Sequence, residues 1–344
     1  MTGLETPRRR TRRFLLIGVK ITVAAALLVL LLRGVHWTDF RAAFERILWP
    51  WFALAAFLHF PGYLISAWRW RLLLVAQGER IPLKKLVESY LVATFFNYAL
   101  LGTLGGDVIR LTDTGLGRKR GAQAASSILV ERLTGLIAMV FLAAIGLLLL
   151  ALSGGVSRGL SGVVWGALAL FAVFCAGLVV LSHPRITRRL AGLMGRFLPF
   201  AGRLGHKLAD ALDVFRADRR PVYANLGWAL LLQVNVAAHF FCLALAMGLP
   251  AVREAPLQHA FGYMVLVPLI TLILMLPLTP GGAGVRELTL KELRRGLGFA
   301  ATAAGAASVI LMGWLQVASV LIYGAAGIVI FVTRSLRTRT TKSA

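Results

Sequence analysis

Long apolar runs constrain this chain more than any other feature of its sequence. Segment 14–32 holds a single charged residue, Lys20, and segments 133–152 and 160–182 hold none. A helix needs about 20 apolar residues to cross roughly 30 Å of hydrocarbon. No segment alternates between apolar and polar residues as the strands of a transmembrane β-barrel do. The runs therefore predict an all-α, polytopic helical membrane protein.

The positive net charge has two interpretations, one for a soluble protein and one for a membrane protein. The chain carries a formal net charge of +24 and is 58% hydrophobic. A soluble protein this basic would suggest nucleic-acid binding, whereas in a membrane protein Lys and Arg collect in cytoplasmic loops and meet anionic head groups. We therefore expect membrane lipids as partners and no nucleic acid. Cys175 and Cys242 lie in apolar runs, so we expect no disulfide, no metal site and no cofactor.

Six apolar segments are long enough to predict full membrane spans, at 14–32, 49–68, 128–152, 160–182, 222–248 and 302–332. Two further apolar segments, 87–104 and 258–278, run into stretches punctuated by glycine and proline. We predict that these two are re-entrant hairpins, and an eight-span alternative in which both cross the membrane stays open.

Loop charge orients the predicted spans, because Lys and Arg favour the cytoplasmic side. Five segments are rich in basic residues and predicted to be cytoplasmic: 1–13, 69–85, 105–121, 183–221 and 334–344. Segment 87–104 lies between two of them, so it can return to the same side only by turning back within the membrane. The basic segment 283–298 fits less well, because it would face outward. Eight spans would instead place the strongly basic 183–221 outside.

These assignments divide the chain into four regions. They are a cytoplasmic N-terminus at 1–13, a first membrane repeat at 14–155, a second repeat at 156–333 that includes the basic segment 183–221, and a cytoplasmic tail at 334–344. The pattern predicts a multi-pass protein of the bacterial inner membrane with both termini in the cytoplasm.

A repeated phrase suggests that the two halves are related. Residues 105–110 read GGDVIR and residues 281–286 read GGAGVR, about half the chain length apart. Each phrase follows an apolar stretch and precedes an amphipathic segment and a long span. Three spans per unit would invert the second unit relative to the first, as in the inverted repeats of secondary transporters. The alternative is coincidence between two glycine-rich turns in a chain with 35 glycines.

The two hairpins, the segments that follow them and the start of the span 128–152 supply the candidate substrate-binding residues: Asn97, Gly105, Gly106, Asp107, Arg110, Glu131, Arg132, Pro280, Gly281, Gly282, Arg286 and Glu287. The glycines and the proline predict hairpin tips with unusual backbone angles, whose N–H groups could bind an anion. Arg110 and Arg286 would follow about one turn into the next helix and suit a phosphodiester. Alternatively, each arginine extends to lipid head groups or pairs with a carboxylate.

The other polar candidates have two interpretations each. Asn97 either cross-links helices or faces the substrate path, and Asp107 could form only a local ion pair with Arg110. Glu131 opens the predicted span 128–152, where it either changes protonation in proton-coupled transport or pairs with Arg110 or Arg132 at the interface. Arg286 and Glu287 repeat this chemistry.

Two further features receive no binding role from the sequence. The run Arg69-Trp70-Arg71 predicts an interfacial anchor, with the ring at the head groups. The histidines, His59 and His239 among them, show no metal-ligand spacing and are assigned no chemistry.

The chain resembles the lysylphosphatidylglycerol synthase transmembrane region family over roughly residues 14–335. The resemblance is carried by WRWRLL at 68–73, Asn97, GGDVIR at 105–110, VERL at 130–133 and LPLTPGGAGVRE at 276–287. This family is the flippase-like half of the multiple peptide resistance factor proteins and also occurs as stand-alone membrane proteins. The resemblance implies a flippase-type fold with re-entrant helices and movement of a lipid between leaflets. Full-length relatives carry a C-terminal soluble aminoacyl transferase domain, and this chain stops at Ala344, so we expect no lysylphosphatidylglycerol synthesis.

The expected function is therefore a lipid transporter that is not an enzyme. Its substrate would be an anionic phospholipid, glycolipid or isoprenoid-type lipid. The sequence contains no Walker A motif, so transport would be downhill, proton-coupled or partner-driven. Two alternatives stay open: a membrane enzyme that acts on a lipid-linked substrate, and a scaffold that recruits a lipid-modifying enzyme or synthase.

Overall fold

The structure is a computed structural model that describes residues 37–99, 104–113, 121–154, 183–197, 217–248, 250–274, 284–296 and 303–340, with isolated positions at 176, 206, 209–210 and 212–215. The predicted spans 14–32 and 160–182 lie outside the described residues, apart from position 176. Pro280, Gly281 and Gly282 also lie outside them.

The described part of the chain is helical and contains no strand, which confirms the all-α prediction. Its helices are α1 (Trp37–Glu45), α2 (Trp49–Ala76), α3 (Leu83–Ala99), α4 (Leu104–Asp113), α5 (Gly121–Leu152), α6 (Pro184–Phe197), α7 (Arg220–Ala246), α8 (Pro250–Glu254), α9 (Pro256–Leu274), α10 (Val285–Gly296) and α11 (Ala303–Thr340).

Five of these helices, α2, α5, α7, α9 and α11, are long and apolar enough to cross a membrane. The chain is therefore a multi-pass membrane protein. Helix α9 meets this test of length and composition, although the sequence predicted a re-entrant hairpin at 258–278. Since the test does not locate a bilayer, the re-entrant and the spanning interpretation of this segment both stay predictions.

Helix α11 continues past the predicted end at 332 to Thr340, and two further helices also extend beyond the predicted spans. Helix α2 continues past residue 68 to Ala76, and α5 begins at Gly121 rather than at 128. The additional turns are buried by protein, since Trp70, Leu74 and Ala124 belong to one buried apolar cluster. The sequence prediction ended these spans where hydropathy fell, but packing against neighbouring helices continued both.

The long helices of each half of the chain pack against long helices of the other half. Helix α2 packs along α7, which lies in the second half of the chain. Helix α3 packs on α11, and α9 packs on α5, so each of α3 and α9 lies against the last long helix of the other half. At the α5–α9 crossing, a Cβ added to Gly146 would lie 2.6 Å from Cβ of Met264. At the α3–α11 crossing, a Cβ on Gly327 would overlap the carbonyl of Leu91. Small residues let membrane helices approach this closely.

Each long helix has a buried face and an exposed face. The largest buried cluster draws on α2, α5, α7, α9 and α11 and includes Leu243, Tyr263, Leu266, Ile270 and Met312. The same helices also expose large apolar side chains, such as Phe57, Leu148, Leu231 and Val329. Exposed apolar residues on long helices are the expected contact surface for acyl chains.

Candidate functional site

Helices α3 and α4 pack against each other as a hairpin that Asn97 fastens. The side-chain Oδ1 of Asn97 accepts the backbone N–H of Gly106 at 2.7 Å. This N–H lies in the first turn of α4, where no carbonyl of the helix can accept it. A Cβ on Gly106 would lie 2.5 Å from that Oδ1. The structure therefore contains the helix cross-link that was one of the two expectations for Asn97.

The glycines of the first repeat do not form the hairpin tip. Gly105 and Gly106 lie inside α4, which begins at Leu104, and neither has a positive φ. The prediction of unusual backbone angles at these two residues is therefore wrong. What the structure requires at Gly106 is the absence of a side chain, because Asn97 occupies that space.

The two repeats also place their arginines differently. Helix α10 begins at Val285, directly after Gly284, whose φ is +78°. Arg286 therefore lies in the first turn of its helix, whereas Arg110 lies in the second turn of α4. We predicted that each arginine lies about one turn into a helix that follows the glycines. This prediction holds for neither Arg110 nor Arg286.

Five charged side chains from α2, α4 and α5 form a group that we call the ion cluster, in which Arg69, Arg110 and Glu131 are buried and Asp107 and Arg132 are partly exposed. Arg110 Nη2 donates to Glu131 Oε2 at 2.6 Å, and Arg110 Nη1 lies 3.6 Å from Asp107 Oδ1. Arg132 Nε donates to Asp107 Oδ2 at 2.9 Å. The ion pairs considered for Asp107 and Glu131 are thus present, and Glu131 pairs with Arg110. Glu131 lies about 15 Å past the start of α5 at 1.5 Å per residue, and its position at the start of the membrane span stays a prediction.

Two aromatic rings enclose the guanidinium group of Arg110. Its Cζ atom lies 4.1 Å from the ring centroids of both Trp70 and Tyr90. The Tyr90 hydroxyl donates to the carboxylate of Glu131, and Trp70 Nε1 donates to Ser127 Oγ at 3.2 Å. A cation between aromatic faces gains cation–π attraction, most strongly when water is excluded. These contacts fix the position of Arg110 beside its carboxylate partner.

Arg69 contributes a second buried cation that the sequence analysis missed. It is 3% exposed, and its Nη2 donates to the backbone carbonyl of Glu131 at 2.9 Å and to Asn225 Oδ1 at 3.2 Å. The amide of Asn225 returns a hydrogen bond to the carbonyl of Arg69 at 2.8 Å. The prediction that Arg69 and Trp70 form an interfacial anchor is wrong, because both side chains are buried. A signal was available, since Asn225 is an amide near the start of the apolar run that forms α7.

The ion cluster has an excess of positive charge. It combines three guanidinium groups with two carboxylates, so its formal net charge is +1 among the described side chains. Burying an unbalanced charge is costly unless another group neutralises it. The side chain of Arg132 is 32% exposed, against 7% for Arg110.

In the second half, Arg286 and Glu287 are both 2% exposed. Arg286 Nη1 donates to the carbonyl of Gly313 at 3.3 Å, and Glu287 Oε2 accepts the N–H of Gly284 at 2.8 Å. A Cβ on Gly313 would collide with the Glu287 side chain. The structure thus places this pair in the contact between α10 and α11, and its part in substrate binding stays a prediction.

A cavity of about 310 Å³ lies between α2, α3, α7 and α11. Its lining residues are Leu58, His59, Gly62, Tyr63, Ser66, Tyr90, Thr94, Asn97, Leu232, Asn235, Val236, His239 and Val320. Asn97 is the member of this set that the sequence analysis named as a candidate. Tyr90 belongs to the cavity wall and also binds Glu131, so the cavity and the ion cluster are neighbours.

Two histidines that received no role line this cavity together. The ring centroids of His59 and His239 lie 4.3 Å apart. A search for metal-ligand spacing could not find this pair, because the two residues come from different halves of the chain. Within the described residues, no group of three or more His, Cys, Asp or Glu side chains could hold a metal ion.

A different sequence signal could have revealed the cavity. Apart from Leu58, its lining residues on α2 fall at positions 59, 62, 63 and 66, and those on α7 fall at 232, 235, 236 and 239. Both sets follow the spacing i, i+3, i+4, i+7 that marks one face of a helix. Each face carries polar side chains within an apolar span, which is the pattern of a helix that lines a polar interior.

Comparison with known proteins gives one match, to a family. The family model described as "Lysylphosphatidylglycerol synthase TM region" matches residues 16–327. The search of curated proteins and the search of solved structures each give no match. Because the family match spans most of the sequence, the chain belongs to the lysylphosphatidylglycerol synthase transmembrane region family.

Proposed function

We propose that the chain is a lipid transporter of the flippase type, which moves an anionic phospholipid, glycolipid or isoprenoid-type lipid between the leaflets of the bacterial inner membrane. Both termini would lie in the cytoplasm, as the loop charges predict. The chain would act without chemical change to its substrate. The observation that carries the proposal is the ion cluster, with its net charge of +1 among the described side chains, beside a cavity within the helix bundle.

Electrostatics supports an anionic head group. Ionisable residues within membrane helices are expensive, so they are usually paired or functional. In the ion cluster the two carboxylates each pair with a guanidinium group, and Arg69 has neutral acceptors at its described hydrogen bonds. A phosphate would supply the missing negative charge, and guanidinium groups bind phosphate through parallel hydrogen bonds.

The exchanged packing of the helices supports the inverted repeat. The order α2, α3, α4, α5 in the first half corresponds to α7, α9, α10, α11 in the second. The contacts α3–α11 and α9–α5 are what a two-fold axis between the halves would produce. Inverted repeats place the substrate near the middle of the membrane and let one half move against the other. Such a motion would open the cavity to each leaflet in turn.

Leaflet exchange in liposomes tests the proposal. The purified chain is reconstituted with a trace of phosphatidylglycerol that carries a nitrobenzoxadiazole group on an acyl chain, and dithionite then bleaches the outer leaflet. Transport carries inner-leaflet lipid outward, so the bleached fraction exceeds that of protein-free liposomes. A bleached fraction equal to that of protein-free liposomes, for this and other anionic lipids, contradicts the proposal.

A variant pair tests the role of the ion cluster. Arg132→Gln removes the more exposed cation, and loss of a charge-assisted hydrogen bond of about 1.5–3 kcal/mol predicts exchange slower by about tenfold or more. Arg41→Gln is the matched control, because Arg41 forms only an exposed pair with Glu45 on α1. Exchange at the wild-type rate in Arg132→Gln would remove the ion cluster from the proposal.

The same preparation separates the two alternatives. A membrane enzyme would yield a modified lipid without leaflet exchange, which mass spectrometry of the extracted lipids detects. A scaffold would yield neither, and a lipid-modifying enzyme or synthase would then co-purify with the chain. The basic helix α6 is the surface to test for such a partner, since Arg188 there is exposed and pairs with Asp210 and Asp213.

A further inference from the structure

We propose that helix α6 docks on the anionic surface of the membrane, on the predicted cytoplasmic side, with its apolar face among the head groups and a row of arginines on the phosphates. This inference goes beyond the proposed transport function, because it assigns a partner to a surface outside the ion cluster and the cavity. The partner is the lipid surface itself and not a transported lipid.

The sequence of α6 separates apolar and basic residues onto different faces of the helix. Helix α6 (Pro184–Phe197) reads PRITRRLAGLMGRF. At about 100° per residue, its apolar positions 186, 190, 193, 194 and 197 fall within an arc of about 100°. The arginine row, which consists of Arg185, Arg189 and Arg196, occupies an arc of about 40° beside them. This pattern is typical of a helix that lies in the plane of a membrane interface.

A third face of α6 holds the helix on the protein. Ala191 on this face is buried. Arg188 Nη2 donates to Asp213 Oδ2 at 2.9 Å and lies 3.5 Å from Asp210 Oδ1. These contacts fix the rotation of α6 about its axis, so its apolar face is turned away from the protein.

The segment that carries the two aspartates is itself fixed to the helix bundle. Leu212 and Phe215 form a buried cluster with Leu73 of α2 and Val130 of α5. Both of these bundle residues lie within about one turn of members of the ion cluster. Helix α6 is therefore attached near the ends of α2 and α5 that the loop charges predict to face the cytoplasm.

The apolar face and the arginine row remain open in the described part of the chain. Ile186 is 38% exposed and Leu193 is 51% exposed. The three arginines of the row are also exposed, and none of them forms an ion pair within the described residues. Exposed apolar side chains beside exposed cations match an anionic bilayer surface, which offers apolar chains below its phosphates.

The connectivity of the chain favours lipid over a protein partner. The apolar run 160–182, which the sequence predicts to cross the membrane, ends two residues before the start of α6. A connection this short keeps the helix next to the head groups. Segment 183–209 contains six Lys and Arg residues and no Asp or Glu, so the charge of this segment is complementary to that of an anionic leaflet.

Collision accessibility of nitroxide labels on the reconstituted full-length chain tests the inference. A label at Leu193→Cys reports on the apolar face, in a background with Cys175→Ala and Cys242→Ala. Gly192→Cys is the matched control, because a Cβ there would meet nothing within 4 Å and the position lies off the apolar arc. In liposomes that contain phosphatidylglycerol, we expect the Leu193→Cys label to be accessible to oxygen and protected from a nickel chelate. The Gly192→Cys label should show the reverse.

Substitutions in the arginine row test the contribution of charge. Each arginine near an anionic surface favours the bound helix by about fivefold. Arg185→Gln combined with Arg189→Gln should therefore lower the ratio of membrane-bound to free α6 by about 25-fold. Arg219→Gln combined with Arg220→Gln is the control, because it removes the same charge at exposed positions beside the start of α7, and it should leave the Leu193→Cys label protected.

Three results would each overturn the inference. In anionic liposomes, the nickel chelate could reach the Leu193→Cys label as readily as the Gly192→Cys label. The Leu193→Cys label could be equally immersed in phosphatidylcholine and in phosphatidylglycerol, so that the arginine row would not read charge. The label could also be protected from both oxygen and nickel, in detergent as well as in liposomes, which would show that protein covers the face. None of these measurements requires leaflet exchange, so failure of the docking proposal and failure of the transport proposal are distinguishable.

Discussion

Replacing Glu131 by glutamine isolates the electrostatic balance of the ion cluster. The substitution keeps the size of the side chain and removes the carboxylate that accepts from Arg110 at 2.6 Å and from the Tyr90 hydroxyl. Three guanidinium groups would then face one carboxylate, that of Asp107. Breaking a buried ion pair by removing one partner costs about 3–5 kcal/mol, because the remaining charge is left without compensation.

The free energy of unfolding, measured by titration of mixed detergent micelles with SDS, checks this value. The exposed pair of Arg41 and Glu45 provides the reference, with a separation of 2.8 Å and side chains that are 74% and 60% exposed. Arg41→Gln should cost only about 0.3–0.5 kcal/mol, because solvent screens exposed pairs on a helix.

A double-mutant cycle shows whether the loss comes from the ion pair. Arg110→Met alone should also destabilise strongly, and combining it with Glu131→Gln should recover part of the loss, with a coupling of about 1–3 kcal/mol. If Glu131→Gln costs no more than Arg41→Gln, or if the two losses simply add, then Glu131 and Arg110 do not form the buried pair described here.

Three further predictions follow from the packing and from the proposed topology. Gly106→Ala should destabilise the protein by about 1–3 kcal/mol through overpacking and should slow leaflet exchange. At Gly192 an added Cβ would meet nothing within 4 Å, so Gly192→Ala should stabilise its helix by about 0.5–1 kcal/mol. Equal effects of the two substitutions on thermal unfolding would contradict this prediction. Gly327→Val should lower the Tm more than any exposed substitution on α11, because its side chain would collide with α3, and an unchanged Tm would show that the helices do not cross there. Cysteines that replace the exposed residues Lys84 and Glu254 should react with a membrane-impermeant maleimide from opposite sides of the membrane. Labelling of both cysteines from one side would exclude the proposed inverted topology.

The class of the protein could be predicted from its apolar runs alone. In lipid, every backbone N–H and C=O group of a run such as 133–152 must form a hydrogen bond, and a helix forms these bonds within the segment itself. Arg110 and Glu131 could be identified as candidates because an ionisable group near an apolar run is rare whatever its partner. The spans predicted at 49–68 and 128–152 lie within helices α2 and α5, but the first prediction ended too early and the second began too late, because hydropathy measures composition and not the neighbour that buries a turn.

The tertiary structure alone decided how these residues combine. The sequence around Arg69 predicted a head-group anchor, but in the structure α5 and α7 place Glu131 and Asn225 against this side chain. The cavity brings His59 and His239 together from opposite halves of the chain. A sequence pattern records which side chains share a face of one helix, because helical periodicity is local. Which faces meet depends on packing between helices distant in the chain, and here that packing assembles both the ion cluster and the cavity.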